Sequence, residues 1–399
     1  MVQKLIILFS FLVIFSYVLD VICKKIKVPS VIFLIALGIV GRIVVDNFHI
    51  KLPVITPVLM TLGGISLILV VLQGAMELQW SPEKNRLIFK MLLLCVFPML
   101  TLAYVASYCL SFYIPHSFHR ILVNVIPFAI ISSAIAIPAT GMLAEKPREQ
   151  IVYESSFSDI LGLLFFNFIF TNSGGLLHQV GVFSLELLGT IVLTLLGTLL
   201  IAWLLGFLPD GVRLIPILAA LVFVFEIAEY FELPALIFIF VFGVFLGNLS
   251  KFSKYHFLKY IHPERIKLHF DEFYNIVSEV GFLVRSVFFL MLGFFILPSE
   301  LLNLKALLWS CGILALSYLI RYCYLRLLRV TIFPNLFYSP RGLVTILLFL
   351  YIPLGERLPQ LGISVVIQVV ILSTLIMAIG GKIVSSKSNE PTGQEVQDI

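Results

Sequence analysis

The sequence predicts an all-α polytopic membrane protein of about 13 transmembrane helices, set out as two inverted repeats with two broken, crossing helices. Three observations lead there. Of 399 residues, 60% are hydrophobic and only 12% charged, whereas soluble domains carry about 25% charged residues. The apolar residues form runs of about 20, the length a helix needs to cross the hydrocarbon core. The basic residues gather in alternate loops, so the formal charge of +5 points to one face of a lipid bilayer and not to nucleic acid.

In chain order the candidate spans run near 4–22, 28–45, 56–77, 89–113, 120–143, 150–171, 182–208, 212–230, 233–249, 276–297, 303–325, 335–354 and 359–383. The first has only Lys4 before it, lacks a small-residue cleavage site, and is followed at once by Lys24, Lys25 and Lys27. Those features fit a retained span and not a removed leader. The eighth and ninth are separated only by Phe231-Glu232-Leu233-Pro234. With the N-terminus outside, the inward loops hold most of the Lys and Arg, including Lys84, Arg86, Lys146, Arg148, Lys251, Lys254, Arg326 and Arg329, with Arg321 at a span edge. Outward segments hold only Lys4, Arg42, Lys51, Arg120, Lys305 and Arg357. This asymmetry places the C-terminus in the cytoplasm, on the inner face of the cell membrane.

Other features set limits. Cys23, Cys95, Cys109, Cys311 and Cys323 are odd in number and mostly inside apolar runs, so they read as small core residues. Glu77, Glu226 and Glu229 lie near span ends and read as interfacial. His256, His262 and His269 belong to an inward basic stretch suited to resting on anionic lipid, and their spacing does not match a helical metal pair. Residues 384–399 read as a short polar cytoplasmic tail. No nucleotide-binding loop, hydrolase elbow or zinc signature occurs, so the expectation is no cofactor and no enzymatic activity.

Val28-Pro29-Ser30-Val31-Ile32-Phe33 leads to Gly38, and Leu233-Pro234-Ala235-Leu236-Ile237-Phe238 leads to Gly243, with Pro and Gly nine residues apart in both. These stretches open spans two and nine. An odd offset of seven spans makes the copies cross in opposite directions, the plan of many secondary transporters. The same offset pairs span five with span twelve. Span five carries Ile137-Pro138 with Gly141, and span twelve carries Pro340-Arg341-Gly342. Proline removes a backbone donor, so both helices are expected to break where protein or water satisfies the freed groups. Broken helices at corresponding positions point to a midplane binding site.

That site is expected at Glu154-Ser155-Ser156-Phe157-Ser158-Asp159, near the start of span six. An acid at membrane depth costs about 2.5–3.5 kcal/mol even on lenient insertion scales. Asp159 lies four residues after Ser155 and three after Ser156, so one helical face carries a carboxylate and two hydroxyls. Such a set suits a monovalent metal cation or a proton, but not both together; the competing reading is a structural acid bonded to the serines. Glu154 lies about 140° around the helix from Asp159. It is expected to form an ion pair with Arg341, the rival being direct ion binding. Arg285 either compensates charge at the site or snorkels to the inner surface.

Glu154–Asp159 resembles the Glu-Ser-x-x-Asn-Asp signature of monovalent cation:proton antiporters of the sodium/proton exchanger type. Ser339-Pro340-Arg341-Gly342 resembles that family's Arg-Gly motif, and Ile137-Pro138 occupies its Thr-Asp-Pro position. Phe288-Phe289-Leu290-Met291-Leu292-Gly293 resembles its Phe-Phe-x-x-x-Gly run. Ser158 stands where the family has Asn, and Ile137 where it has Asp. The likeness runs over residues 1–383.

The resemblance implies a homodimer with dimerisation helices at about 1–80 and 182–297, and a core bundle at about 89–171 and 303–383 that carries the site across the membrane. It implies exchange of Na+, K+ or Li+ for protons at Asp159, with Glu154 paired to Arg341. Ser155, Ser158, Thr140 and broken-helix carbonyls would supply further oxygens. A single exchanging carboxylate favours electroneutral exchange. The rival expectations are an ion channel on the same scaffold and a non-transporting sensor or assembly subunit.

Overall fold

Long apolar sequence folds here entirely as helix, because in such runs only backbone bonding within the segment satisfies every N–H and C=O. The computed structural model describes residues 14–23, 29–47, 56–78, 81–170, 176–207, 214–231, 233–248 and 263–388, and contains no strand among them. The helices are α1 (Ile14–Cys23), α2 (Ser30–Asn47), α3 (Thr56–Glu77), α4 (Asn85–Ser111), α5 (Phe118–Ala129), α6 (Ser133–Ala139) and α7 (Glu145–Phe170). They continue with α8 (Leu176–Phe207), α9 (Leu214–Tyr230), α10 (Ala235–Gly247), α11 (Pro263–Phe295), α12 (Leu304–Leu327), α13 (Leu343–Tyr351) and α14 (Ile363–Ser388).

Among the described residues, seven helical segments are long and apolar enough to cross a membrane, and α5 with α6 counts as one of them. α7 has 26 residues, but its acids and bases set it apart from that apolar set. The protein is thus an all-helical, multi-pass membrane protein. Exposed leucines such as Leu185, Leu188, Leu195 and Leu196 along α8 make a face suited to lipid.

Both expected helix breaks occur, though one is displaced. α5 ends at Ala129, Ile130 to Ser132 are extended, and α6 restarts at Ser133. Pro138 lies inside the short α6 instead of at the break. The interruption follows Pro127, which removes a donor from the last turn of α5, and falls on two β-branched residues that favour extended backbone. The second break matches expectation. The chain is non-helical from Leu328 to Gly342, and Pro340 disfavours helix at Ser339 before it. α13 is then only nine residues long, about 13 Å, too short to span a bilayer alone.

The two breaks cross. Ser132 N–H donates to the Pro340 carbonyl at 2.9 Å. A Cβ on Gly342 would meet Ser132 Oγ at 2.8 Å and Ile135 Cδ1 at 2.6 Å, so any larger residue would displace side chains at the crossing.

Around this centre the helices pack in two groups. α4, α5, α6, α7, α12 and α14 contact one another, with α13 against α5, α7 and α14; α2, α3, α8, α9, α10 and α11 form the other set. α3 packs on α10 and α11 and also reaches α6, α7 and α13, so it stands between the groups. Glycines allow close backbone approach within the second group. A Cβ on Gly293 of α11 would lie 2.1 Å from the Ile35 carbonyl of α2, and one on Gly38 would lie 2.1 Å from the Leu290 carbonyl. Gly247 of α10 similarly faces the Met76 carbonyl of α3, and Gly243 faces Ala75.

One further expectation needs adjusting, and others fall outside the described residues. Cys109, Cys311 and Cys323 are exposed on their helices, because a lipid-facing surface is as apolar as a core; Cys23 and Cys95 are buried. Most of the first span, His256, His262 and the tail beyond Ser388 lie outside the described residues, while His269 falls within α11.

Gly293→Val would force α2 and α11 apart. Overpacking of this kind costs about 1–3 kcal/mol, so the variant is expected to melt below wild type in detergent, followed by intrinsic fluorescence. Equal melting temperatures would contradict the backbone contact.

Candidate functional site

Several backbone groups freed at the first break are met by distant partners, and those partners define the site. The Phe128 carbonyl accepts from Arg341 Nε at 2.6 Å. Ile131 N–H donates to Ser158 Oγ at 2.8 Å, and Ser133 N–H donates to Asp159 Oδ2 at 3.2 Å. The Ser133 hydroxyl also donates to Asp159 Oδ2. Asp159 is only 1% exposed, and among the described residues its second oxygen, Oδ1, has no hydrogen-bond partner. A buried carboxylate with one oxygen held and the other bare is chemically primed for a proton or a small cation.

The other expected ligands are differently engaged. Ser155 Oγ donates to the Ile151 carbonyl at 2.7 Å, within its own helix. Ser158 Oγ is held at the break by the Ile131 amide. Thr140 lies seven residues beyond Ser133, about 10 Å along α6, and its hydroxyl donates to the Ile137 carbonyl at 2.7 Å. Thr140 therefore closes the end of α6 and does not approach the carboxylate. Ile137 packs in an apolar cluster with Met91, Leu94, Val152 and Tyr153.

The expected Glu154–Arg341 pair is not formed. Glu154 pairs with Arg321 of α12: Arg321 Nη1 donates to Oε1, and Nη2 donates to Oε2 at 2.8 Å. The two side chains are 2% and 3% exposed. Arg321 Nε and Nη2 also donate to the Asn335 carbonyl, at 3.0 and 2.7 Å, and Asn335 Nδ2 donates to Gln150 Oε1 at 2.6 Å. α12 runs on to Leu327, so Arg321 sits more than a turn inside the helix and not at its edge. Arg341 is occupied elsewhere. Besides Phe128 it donates from Nη1 to the Ser339 carbonyl at 2.8 Å and from Nη2 to Ser317 Oγ at 2.5 Å. Its backbone N–H reaches Ser373 Oγ of α14 at 2.9 Å. Arg341 is thus a cross-brace between the breaks and two neighbouring helices.

Arg285 does not join the site. Its guanidinium lies 6.0 Å from the Phe282 ring centre, on α11. Glu77, at the end of α3, accepts from the Tyr274 hydroxyl of α11 at 2.5 Å and lies 3.7 Å from Arg148 Nη2 of α7. Glu226 and Glu229 lie at the exposed end of α9.

Sequence reasoning missed Ser133, whose contact with Asp159 is made across helices and leaves no local pattern. It also missed the pairing role of Arg321, for which a cation inside an apolar run was the available signal.

A family model described as "Sodium/hydrogen exchanger, transmembrane" matches residues 8–387. The fold is similar to the solved structure of the sodium proton antiporter MjNhaP1 from Methanocaldococcus jannaschii at pH 8, with a TM-score of 0.68, 17% identity, and coverage of 97% of both chains. An electron-microscopy structure of the same antiporter gives a TM-score of 0.69 at 17% identity, with all of both chains covered. A comparison with curated protein sequences found no match.

The Glu154–Arg321 pair carries a direct test. Removing one partner of a buried pair costs about 3–5 kcal/mol, so Arg321→Ala is expected to melt well below wild type. The double variant Glu154→Gln, Arg321→Met leaves no uncompensated charge and should recover much of that loss. Single and double variants that melt alike would argue against the pairing.

Proposed function

The chain belongs to the sodium/hydrogen exchanger family, whose members are transporters and not enzymes, and on that premise we propose how it exchanges a monovalent cation for protons. One observation carries the reading: Asp159, buried where two broken helices cross, has one oxygen held by Ser133 and the other without a partner among the described residues. Protonation and binding of Na+, K+ or Li+ compete for that carboxylate, because both neutralise the same buried charge. One guest must leave before the other enters.

Glu154 takes no part in exchange, since Arg321 already neutralises it. Ile137 offers no second acid, so each turnover moves one proton against one cation and the exchange is electroneutral. Access alternates when the group containing α4 to α7 and α12 to α14 shifts against the group containing α2, α3 and α8 to α11. The second group would hold the contact between two copies in a homodimer. Gly38 and Gly243 support the inverted repeat: each lies at the matched position of its stretch, and each packs against the third-span helix of the opposite half, α11 or α3. The positive-inside pattern supports a cell-membrane location with the N-terminus outside and the C-terminus cytoplasmic.

In everted vesicles loaded with a pH-sensitive dye, adding Na+, K+ or Li+ is expected to collapse an imposed pH gradient. Clamping the membrane potential should not alter the rate, and Asp159→Asn should reduce it to that of empty vesicles. A wild type without response to all three cations would refute the proposal, as would full activity in the Asp159→Asn variant.

A further inference from the structure

The start of α4 and the end of α12 carry charge of one sign only. Arg86 and Lys90 lie four residues apart in the first two turns of α4, so they share one face. Arg326 is in the last turn of α12, and Arg329 follows two residues past the helix. Arg86, Arg326 and Arg329 are exposed and Lys90 is half-buried. No Asp or Glu occurs from Asn85 to Ser111 or from Leu304 to Gly342. The acid closest in sequence, Glu83, precedes α4, and Glu149 of α7 is taken by Lys84.

These two helix ends lie together. Phe97 stacks on Tyr324 at 6.3 Å between ring centres, and Tyr113 meets Trp309 at 6.4 Å, so α4 and α12 run antiparallel. Leu87, beside Arg86, belongs to one apolar cluster with Leu325 and Leu328, the neighbours of Arg326 and Arg329. Next to the cations the surface turns apolar, with Phe89, Phe97 and Leu319 exposed. Arg326 Nε donates to the Tyr322 hydroxyl at 3.2 Å, and its guanidinium lies 5.5 Å from that ring, which holds the charge against this apolar face.

Arg329 is kept at a backbone cost. Its φ is 52°, and Val330 N–H donates to the Leu325 carbonyl at 3.0 Å, the bond of a Schellman cap. Glycine suits that position because a Cβ is penalised in the left-handed region. Among the described residues, no other non-glycine residue has a positive φ. The helix dipole favours cations at the end of α12 but disfavours them at the start of α4, so it does not account for Arg86 and Lys90.

We propose that this face binds an anionic phospholipid of the inner leaflet. Its headgroup phosphate would be met by Arg86, Lys90, Arg326 and Arg329, and its acyl chains would lie over Phe97 and Leu319. Guanidinium groups pair with phosphate through parallel N–H bonds, and the charge pattern assigns this end of the bundle to the cytoplasmic surface. The proposal stands apart from the antiport reading, since it uses no residue of that site. Because α4 and α12 belong to one helix group, a bound lipid ties that group to the headgroup layer.

For the test, purified protein in neutral detergent is titrated with phosphatidylglycerol, phosphatidylcholine or inorganic phosphate while its melting temperature is followed. Phosphatidylglycerol is expected to raise it saturably, and the other two are not. Arg86→Gln and Arg326→Gln should each weaken the apparent affinity about fivefold, the share of one basic residue near an anionic surface. Arg329→Gly should weaken it similarly while melting above wild type without lipid, because glycine relieves the left-handed backbone. A merely structural Arg329 would leave the lipid affinity unchanged. Lys382→Gln, which removes an exposed cation on α14, should stay within about twofold of wild type. If Arg326→Gln folds poorly, Arg86→Gln and Arg329→Gly still decide the matter. Equal stabilisation by phosphatidylcholine or by inorganic phosphate would overturn the proposal. So would wild-type affinity in Arg86→Gln and Arg329→Gly, or an equal loss in Lys382→Gln.

Discussion

Two helices stopped short inside an apolar bundle leave N–H and C=O groups that lipid cannot satisfy, at several kcal/mol apiece. Here those groups are met by particular side chains: Arg341 at the Phe128 carbonyl, Ser158 at the Ile131 amide and Asp159 at the Ser133 amide. The Pro340 carbonyl, from the other break, takes the Ser132 amide. The residues that make the interruption tolerable are therefore the same ones that build the site. Fold and site cannot be separated at this crossing, and Gly342 is the point where the two broken segments pass most closely.

Charge is arranged with the same economy. Two acids lie on α7 five residues apart, and both are buried. Glu154 is locked into a bidentate pair whose guanidinium also holds the Asn335 carbonyl, so it stabilises the join between α7, α12 and the second break. Among the described residues, Asp159 is held only by hydrogen bonds from Ser133. Identical chemistry thus stands in two settings: one acid has a permanent counter-charge that fastens helices together, and the other has none among the described residues.

Much of this was legible in the sequence, for identifiable reasons. Acids are so rare in these apolar runs that Glu154 and Asp159 stand out at once, and Pro340 with Gly342 marks the second break because both residues disfavour helix at the same point. The first break was misplaced because Pro138 is compatible with the short helix it occupies, whereas the true interruption depends on acceptors far away in sequence, Ser158 and Pro340. Arg321 was read as a span-edge residue because counting apolar runs cannot separate an edge residue from one a turn inside a helix. Its partner could be found only once α7 and α12 were packed together. Ser133 is the extreme case, a small polar residue whose role exists only in three dimensions.

Glu77 and Arg148 join α3 to α7 and so bridge the two helix groups at one end, with Arg148 half in solvent at 3.7 Å. Partly exposed pairs of this kind contribute about 0–1 kcal/mol. Such a clasp can register where the groups stand relative to each other while offering almost no resistance to parting, so thermal motion alone suffices to open it. Tyr274 holds Glu77 from the α3–α11 side, so the carboxylate keeps one partner should Arg148 part from it.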